Sequence, residues 1–204
     1  HLTNISAPKV TTIGERAFGG SKITDINFPE VTSIGWYAFS GTKLTTLNLP
    51  KVTTVNRYAF ENSGLTSISL PNATSIGWGA FGDTKLTTLN LPKVTTVEER
   101  AFHGLTSLET LTLDSIITLT SEAIHVLPNL KKVILGETIK EIQDGNLRQL
   151  NKNAEVYIRA TTPPSLTETF DINCTFYVPQ ASLNAYHTHQ DWAPHKDKIK
   201  GYNY

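Results

Sequence analysis

The stretch that decides the fold is KLTTLNLPKVTTV, which occupies residues 43–55 and recurs letter for letter at residues 85–97. The units that alternate with these copies also match each other, since SIGW at residues 33–36 returns at residues 75–78. The offset between the two copies is the same in both cases. We infer that a block of two units was duplicated, and that the protein is a repeat protein.

The dipeptide Ala-Phe sets the length of one unit. It occurs at a constant interval, at Ala17-Phe18, Ala38-Phe39, Ala59-Phe60, Ala80-Phe81 and Ala101-Phe102. The opening positions of successive units keep the same interval at first and then spread slightly further apart: Leu2, Ile23, Leu44, Leu65, Leu86, Leu108, Leu130 and Asn153. The sequence therefore predicts about eight units.

The pattern within a unit predicts two extended segments and a tight turn. Leu47-x-Leu49 alternates with period two, as in a short strand, and Pro50 ends that strand because it has no N–H to donate. Val52-x-x-Val55 gives a second extended segment, and residues 56–60 return as a short helical turn with Phe60 directed inward. One unit has too few apolar side chains to close a core. The units must therefore stack as a β-rich solenoid.

The pattern loosens after Leu108 and ends near residue 158. We expect a strand at residues 175–179, a helix over about residues 181–187 and a C-terminal cap that covers the last apolar layer. The side chains predicted to do so are Phe176, Val178, Leu183, Tyr186 and Trp192. Residues 1–159 are thus interpreted as the repeat array and residues 160–204 as a cap of the same domain. Because Leu2 already begins a unit, we expect further repeats upstream.

The unit L-x-x-L-x-L-P-x-V-x-x-I-x-x-x-A-F resembles the BspA-like leucine-rich repeats of surface proteins from host-associated bacteria. The resemblance covers roughly residues 2–158, and YVPQASLNAY at residues 177–186 looks like the ending of such proteins in gut anaerobes. It implies a right-handed, curved leucine-rich-repeat horseshoe with short helical turns on its outer side. It also implies an extracellular, cell-surface location and adhesion to host matrix proteins or to other bacteria. The class shares no functional residue, so the resemblance assigns none here.

Composition excludes two kinds of partner. The 18 basic residues balance 18 acidic ones, so the chain lacks the basic excess that neutralises nucleic-acid phosphates. No apolar run approaches the roughly 18 residues of a membrane-spanning helix. We therefore expect neither nucleic-acid binding nor membrane insertion.

The residues of catalytic chemistry are sparse. The single cysteine, Cys174, excludes an internal disulfide and a thiolate metal cluster, and no basic neighbour lowers its pKa. His187, His189 and His195 lie near Asp191, and a helix would place His187 and Asp191 on one face. However, the complete H-E-x-x-H motif is missing and Pro194 interrupts the segment. The sequence favours a non-enzymatic protein without a cofactor or a catalytic metal.

The outward positions of the predicted strands are the main candidates for ligand binding. Stacked units place equivalent residues about 4.8 Å apart, so eight strands give a face roughly 35 to 40 Å long. Its candidate binding residues are Asp25, Asn27, Thr46, Asn48, Ser67, Ser69, Thr88, Asn90, Thr110, Thr112, Lys132 and Tyr157. This face is polar and nearly uncharged as far as Lys132. Either it binds an extended polypeptide or a glycan, or its Asn and Thr side chains bond to one another.

A second candidate surface is the flank just before each Ala-Phe turn. The register places Arg57 between the indoles of Trp36 and Trp78, with Glu15 and Glu99 one unit further on. Two exposed tryptophans about 10 Å apart could grip a sugar chain or a partner protein. Alternatively, this flank is a ladder whose groups satisfy one another.

A neighbouring column, Lys9, Glu30, Lys51, Asn72 and Lys93, alternates in charge or inserts a neutral residue. Stacked positions favour such alternation because like charges directly opposite each other repel. We therefore interpret this column as a source of cohesion between units.

The leading hypothesis from sequence is an adhesion module that contacts a host matrix protein, a microbial surface protein or a glycan. The first alternative is a structural spacer that presents an upstream domain. The less favoured alternatives are a glycan-binding accessory and a fragment of a metal-dependent enzyme.

Overall fold

The computed structural model describes residues 3–147, 150–167 and 173–203. Over these residues the chain winds into a β-solenoid of about nine turns, with parallel strands and little helix. The predicted leucine-rich-repeat solenoid is thereby confirmed. Leu2, which was predicted to open the first unit, lies outside the described residues.

The first strand of each turn contributes to a surface that we call the main face. Its described strands are β1 (Asn4–Ser6), β3 (Asp25–Asn27), β5 (Thr46–Asn48), β7 (Ser67–Ser69), β9 (Thr88–Asn90), β11 (Thr110–Leu113), β13 (Lys132–Leu135), β15 (Glu155–Ile158), β17 (Thr175–Pro179) and β18 (Ile199–Tyr202). Parallel ladders join β1 to β3, β5 to β7, and β9 through β18. The pairing places equivalent residues of successive units side by side, as in Leu47 opposite Ile68.

Two-residue strands form a second face of the coil. They are β2 (Thr12–Ile13), β4 (Ser33–Ile34), β6 (Thr54–Val55), β8 (Ser75–Ile76), β10 (Thr96–Val97), β12 (Thr118–Leu119), β14 (Glu141–Ile142) and β16 (Ser165–Leu166). One parallel ladder runs from β2 to β10 and another from β12 to β16. The second residue of each strand faces the core, and Ile34, Val55 and Ile76 are fully buried.

The returning segments, which the sequence predicts as short helical turns, take the form of tight turns. The residue before the repeating alanine, or before Asn146 in the last case, has a positive φ in successive turns: Arg16 (52°), Tyr37 (54°), Tyr58 (55°), Gly79 (57°), Arg100 (55°), Glu122 (53°) and Gly145 (73°). A left-handed residue cannot continue a right-handed helix. The backbone N–H groups here instead donate to the next turn, as from Phe39 to the carbonyl of Ala59 at 2.8 Å.

The core is built from columns of identical side chains. Phe18, Phe39, Phe60 and Phe81 stack with ring centroids 5.3–5.7 Å apart and nearly parallel rings. Phe39, Phe60 and Phe81 are fully buried, whereas Phe18 at the start of the column is half-buried. The later turns fill the same column with Ile124 and Leu147. Stacking of neighbouring units therefore provides the core that one unit lacks.

The C-terminal segment closes the end of the solenoid. It contains a 3-10 helix at Gln180–Ser182, helix α1 at Leu183–Thr188 and a second 3-10 helix at Ala193–Lys198. Phe176, Val178, Tyr186 and Trp192 are buried as predicted, and Leu183 is half-buried. The Trp192 indole donates to the carbonyl of Pro164 at 2.7 Å. Because β17 and β18 extend the main face, the cap is continuous with the array, and the division near residue 159 stays a prediction.

Replacement of Phe60 by alanine tests the stacked core. We expect Phe60→Ala to lower the free energy of unfolding by about 3–5 kcal/mol, because it opens a cavity between two buried rings. Phe18→Ala is the matched control in the same column, and its cost should be clearly smaller because Phe18 is half-buried. Urea denaturation followed by circular dichroism measures both. Equal losses for the two variants would contradict the proposed role of the column.

Candidate functional site

The outward side chains of the main face lie in two columns, as the register predicts. One column pairs Thr46 with Ser67 and the other pairs Asn48 with Ser69. The columns continue through Thr110 opposite Lys132 and Ile134 opposite Tyr157. All twelve candidate binding residues named from the sequence therefore share this face. They are exposed or half-buried as far as Asn90 and half-buried from Thr110 onward.

Side-chain hydrogen bonding on this face is confined to its ends. Near the beginning, Asn4 donates to Asp25 at 3.0 Å and Asn27 donates to Ser6 at 3.4 Å. Among the described residues of β5, β7 and β9, by contrast, the outward Thr, Ser and Asn side chains make no hydrogen bond to one another. The middle of the main face therefore presents unpaired hydroxyl and amide groups to solvent. Bonding between the side chains of neighbouring strands, which the sequence left open as an alternative, is thus seen at the beginning of the face but not in its middle.

The C-terminal end of the main face carries a cluster of aromatic and charged side chains. Tyr157 and Tyr177 stack with centroids 4.7 Å apart and 13° between their rings. Their hydroxyls both donate to the carboxylate of Glu155, at 3.0 and 3.3 Å. Lys132 Nζ lies 4.4 Å from the centroid of the Tyr157 ring, and Lys200 Nζ lies 6.0 Å from that of Tyr177. We call these five residues, with Tyr202 at an edge-on angle to Tyr157, the tyrosine–lysine cluster.

Sequence reasoning identified only part of this cluster. Lys132 and Tyr157 were among its candidates, whereas Tyr177 and Lys200 were assigned to the cap. The structure brings them together because β17 and β18 continue the sheet, with Tyr157 opposite Tyr177 and Tyr177 opposite Lys200. The available signal was the alternation of Thr175, Tyr177 and Pro179, which has the same period as the preceding strands.

The tyrosine hydroxyls of the cluster are held as neutral donors. Burial, followed by interaction with Glu155, raises the pKa of Tyr157 and of Tyr177 above the ordinary value of 10.0. The physical reason is that a phenolate beside the Glu155 carboxylate would be repelled and would lose its hydrogen bond. At neutral pH the Glu155 carboxylate is therefore occupied by two hydroxyl donors.

A groove of about 550 Å³ opens beside the cluster. Its lining residues include Lys132, Glu155 and the three asparagines Asn129, Asn151 and Asn153. The groove thus joins the charged end of the main face to a row of amide groups. It is open to solvent and can admit an extended chain.

The flank surface differs from its predicted form. Arg57 contacts Trp36, with Cζ 5.9 Å from the centroid, and pairs with Glu98 at 2.8 Å. Trp78 instead packs on Tyr58 at 4.7 Å, so Arg57 does not lie between two indoles. The predicted glutamate partners, Glu15 and Glu99, contact Arg16 and Arg100.

The turn between Arg57 and Glu98 carries a glycine at the position equivalent to Glu98. Gly77 stands between Asn56 and Glu98 in one column, and a Cβ there would lie 2.6 Å from the backbone nitrogen of Arg57. Gly77 permits this close approach of the neighbouring backbone. From the following turn, the Glu98 carboxylate accepts from the N–H of Trp78 at 3.0 Å and pairs with Arg57. Trp36 is 49% exposed, whereas Trp78 is half-buried, so the flank offers one open indole.

The left-handed positions form an aromatic ladder that the sequence analysis missed. Arg16 lies over Tyr37 at 5.2 Å, Tyr37 stacks on Tyr58 at 4.6 Å, and Tyr58 contacts Trp78. The signal that could have revealed it is the recurrence of long side chains directly before Ala-Phe. This ladder ties successive turns together on the outer side.

The column of alternating charge links neighbouring turns, as predicted. Lys51 pairs with Glu30 at 2.7 Å, and Lys93 donates to the side-chain oxygen of Asn72 at 2.7 Å.

An ion pair in the later turns spans two turns instead of one. Arg159 lies 2.6 Å from Asp114, across the turn that holds Gly136. A Cβ at Gly136 would lie 1.7 Å from the carbonyl oxygen of Asp114, so only glycine fits there.

Of the candidate chemical groups, the structure brings together His189 and Asp191, whose Nδ1 and carboxylate oxygen lie 3.9 Å apart. Burial raises the pKa of Cys174 to about 12, which keeps its thiol protonated. Helix α1 ends at Thr188, so His187 and Asp191 do not share a helical face; His187 faces the carbonyl of Ile199 and Asp191 accepts from the N–H of Leu166. Within residues 3–147, 150–167 and 173–203, no three His, Cys, Asp or Glu side chains converge as metal ligands would. Nor is any helix in these ranges long and apolar enough to cross a bilayer.

The repeat pattern matches a known family. The BspA type leucine-rich repeat region, in six copies, matches residues 1–96 and 74–174. The chain belongs to the BspA-type leucine-rich-repeat family. Proteins with this solenoid are typically non-catalytic.

A solved structure of a protein from a gut bacterium is similar to this chain. A leucine-rich repeat protein from Bacteroides ovatus is 26% identical over 86% of this chain, with a TM-score of 0.65. The match spans 53% of the length of that protein. A leucine-rich cell surface protein from Faecalibacterium prausnitzii, 15% identical over 88% of this chain and 82% of its own, has a TM-score of 0.37. No curated protein matches the chain.

Replacing Arg57 tests the flank of this BspA-type repeat. Arg57→Ala removes a cation–π contact and an exposed ion pair, so we expect it to lower the free energy of unfolding by about 0.5–1 kcal/mol. Lys43→Ala, at an exposed lysine outside the ladder, is the control and should change stability very little. Thermal unfolding of both variants is the measurement. A loss of several kcal/mol for Arg57→Ala would show that the flank is a central stabilising element.

The cluster also predicts a pH dependence. Because the folded-state pKa of Tyr157 and Tyr177 lies above the unfolded value of 10.0, their hydrogen bonds stabilise the fold below that pH. This stability is lost as the pH rises through the higher folded-state pKa. We expect Glu155→Ala to lower the pKa of two of the seven tyrosines, as seen in the ultraviolet absorbance of tyrosinate. Glu109→Ala, which removes a glutamate paired with Lys131, should leave the tyrosine titration unchanged.

Proposed function

We propose that this BspA-type protein is a non-enzymatic adhesion module of the cell surface. Its main face would bind a host matrix protein or a protein on the surface of another microbe. The observation that carries this proposal is the exposed, uncharged middle of the main face, where hydroxyl and amide side chains are unpaired. An extended polypeptide can satisfy such groups along several turns at once.

The surface location is supported by the family. BspA-type repeats resemble those of surface proteins, and the Bacteroides ovatus relative comes from a host-associated bacterium. A role as a spacer for another domain would not require an open binding face.

A second candidate function is glycan binding at the flank. Trp36 is 49% exposed, and Arg57 covers one side of its indole. An open indole is a common stacking surface for sugars, and the guanidinium supplies a hydrogen-bond donor beside it. The flank and the main face are distinct surfaces, so variants can separate the two functions.

A charge-insertion experiment tests the main face. Thr46→Glu combined with Thr88→Glu places two carboxylates on the exposed face, two turns apart so that they do not stand opposite each other. We expect binding to the best target in a panel of immobilised collagen, laminin and fibronectin to weaken by about tenfold or more, since buried unpaired charges oppose association. Surface plasmon resonance measures the dissociation constant.

The matched control for this experiment is Thr12→Glu combined with Thr96→Glu, which alters exposed threonines of the second face. It should retain wild-type affinity and the same melting temperature as the main-face variant. A glycan array with Trp36→Ala tests the flank in parallel. Absence of saturable binding to every protein in the panel, or equal losses for the two double variants, would contradict the proposal.

A further inference from the structure

We infer that the tyrosine–lysine cluster and its adjoining groove bind an acidic, extended segment of the partner protein. This inference rests on the proposed function, because it takes the main face as a protein-binding surface. It adds the chemistry of the partner: carboxylates that pair with Lys132 and Lys200. Charge, ring geometry and spacing each support it.

Charge is concentrated at this end of the main face. From β1 to β11 the outward columns contain one charged residue, Asp25, which accepts a hydrogen bond from Asn4. From β13 to β18 they contain Lys132, Glu155 and Lys200. Glu155 is engaged by two tyrosine hydroxyls, and no described carboxylate pairs with either lysine. Glu155 also lies opposite Lys132 in the sheet, but neither ammonium group forms an ion pair among the described residues.

The ring geometry favours a polypeptide over a sugar. A sugar that stacks on tyrosine needs an open ring face, but the faces of Tyr157 and Tyr177 are turned toward each other. Their opposite faces are approached by Lys132 and Lys200. The ring edges and the ammonium groups are what the cluster offers to a ligand. Carboxylate side chains complement the ammonium groups, and backbone carbonyls accept from the amides of Asn151 and Asn153 in the groove.

Spacing sets the pattern of acidic residues. Lys132 and Lys200 lie on strands three intervals apart, which is about 14 Å across the sheet. They stand in neighbouring columns, because Lys132 lies opposite Glu155 whereas Lys200 lies opposite Tyr177, so they are also offset by two residues along the strands. In an extended peptide, residues i and i+4 are also about 13–14 Å apart and point to the same side. A peptide that crosses the strands obliquely therefore brings acidic side chains at positions i and i+4 within reach of the two long, flexible lysine side chains.

Two labelled peptides of equal charge test this selection. One carries Glu-Ser-Ser-Ser-Glu and the other carries Glu-Glu-Ser-Ser-Ser between identical neutral flanks. We expect the first to bind more tightly by about threefold or more, with an affinity that falls as salt is added. In a titration followed by amide NMR, the shifted signals should map to residues 132, 155–157, 175–177 and 199–202.

The variant Lys132→Gln with Lys200→Gln should weaken binding of the first peptide by about tenfold. Lys43→Gln with Lys85→Gln removes the same charge from exposed lysines elsewhere and should leave the affinity unchanged. Equal affinities for the two peptides, or equal losses for the two variants, would overturn the inference. So would binding of a heparin hexasaccharide, but of neither peptide, at the same residues.

The matrix-protein target separates this inference from the proposed function. If the wild-type chain binds such a target and the Lys132→Gln, Lys200→Gln variant binds it equally well, the main face is an adhesion surface but the acidic-segment site is wrong. If the chain binds the acidic peptide at the cluster but no matrix or microbial protein, the peptide site stands and the proposed adhesion role is wrong.

Discussion

The whole structure depends on the fact that one turn of this chain cannot bury its own apolar side chains. Each turn supplies one phenylalanine or its replacement to a central column, where successive phenylalanine rings stack on one another. Hydrogen bonding follows the same rule, because N–H groups of the outer turns donate to the turn that follows. Cohesion between turns is thus the source of order within each turn.

This dependence explains why a strained backbone is tolerated on the outer side. Five residues other than glycine adopt left-handed conformations directly before the alanine column, at a cost of roughly 1–2 kcal/mol each. The same conformation aligns their side chains into ladders, as with Tyr37 on Tyr58. Where the ladder is interrupted, at positions 79 and 145, the residue is glycine. Local strain and contact between turns are therefore two results of one backbone geometry.

The repeat made the fold predictable to an unusual extent. The Ala-Phe period determines which residues lie opposite each other, so the columns of the main face followed directly from counting. What counting missed were contacts that skip a turn, such as Arg57 with Glu98 across Gly77 and Arg159 with Asp114 across Gly136. Each passes a glycine against which the backbone of the preceding turn packs too closely for a side chain. The tyrosine–lysine cluster was only half anticipated because β17 and β18 continue the sheet without the repeat's sequence pattern.

The identical segments at residues 43–55 and 85–97 have a genetic consequence. Because each makes similar contacts with its neighbours, recombination between the two DNA copies would remove or add one complete two-unit block without creating a new type of interface. The last turns, which carry the charged cluster, would be unaffected by such an event. Gain or loss of one such block would change the length of the uncharged face and leave its charged end intact.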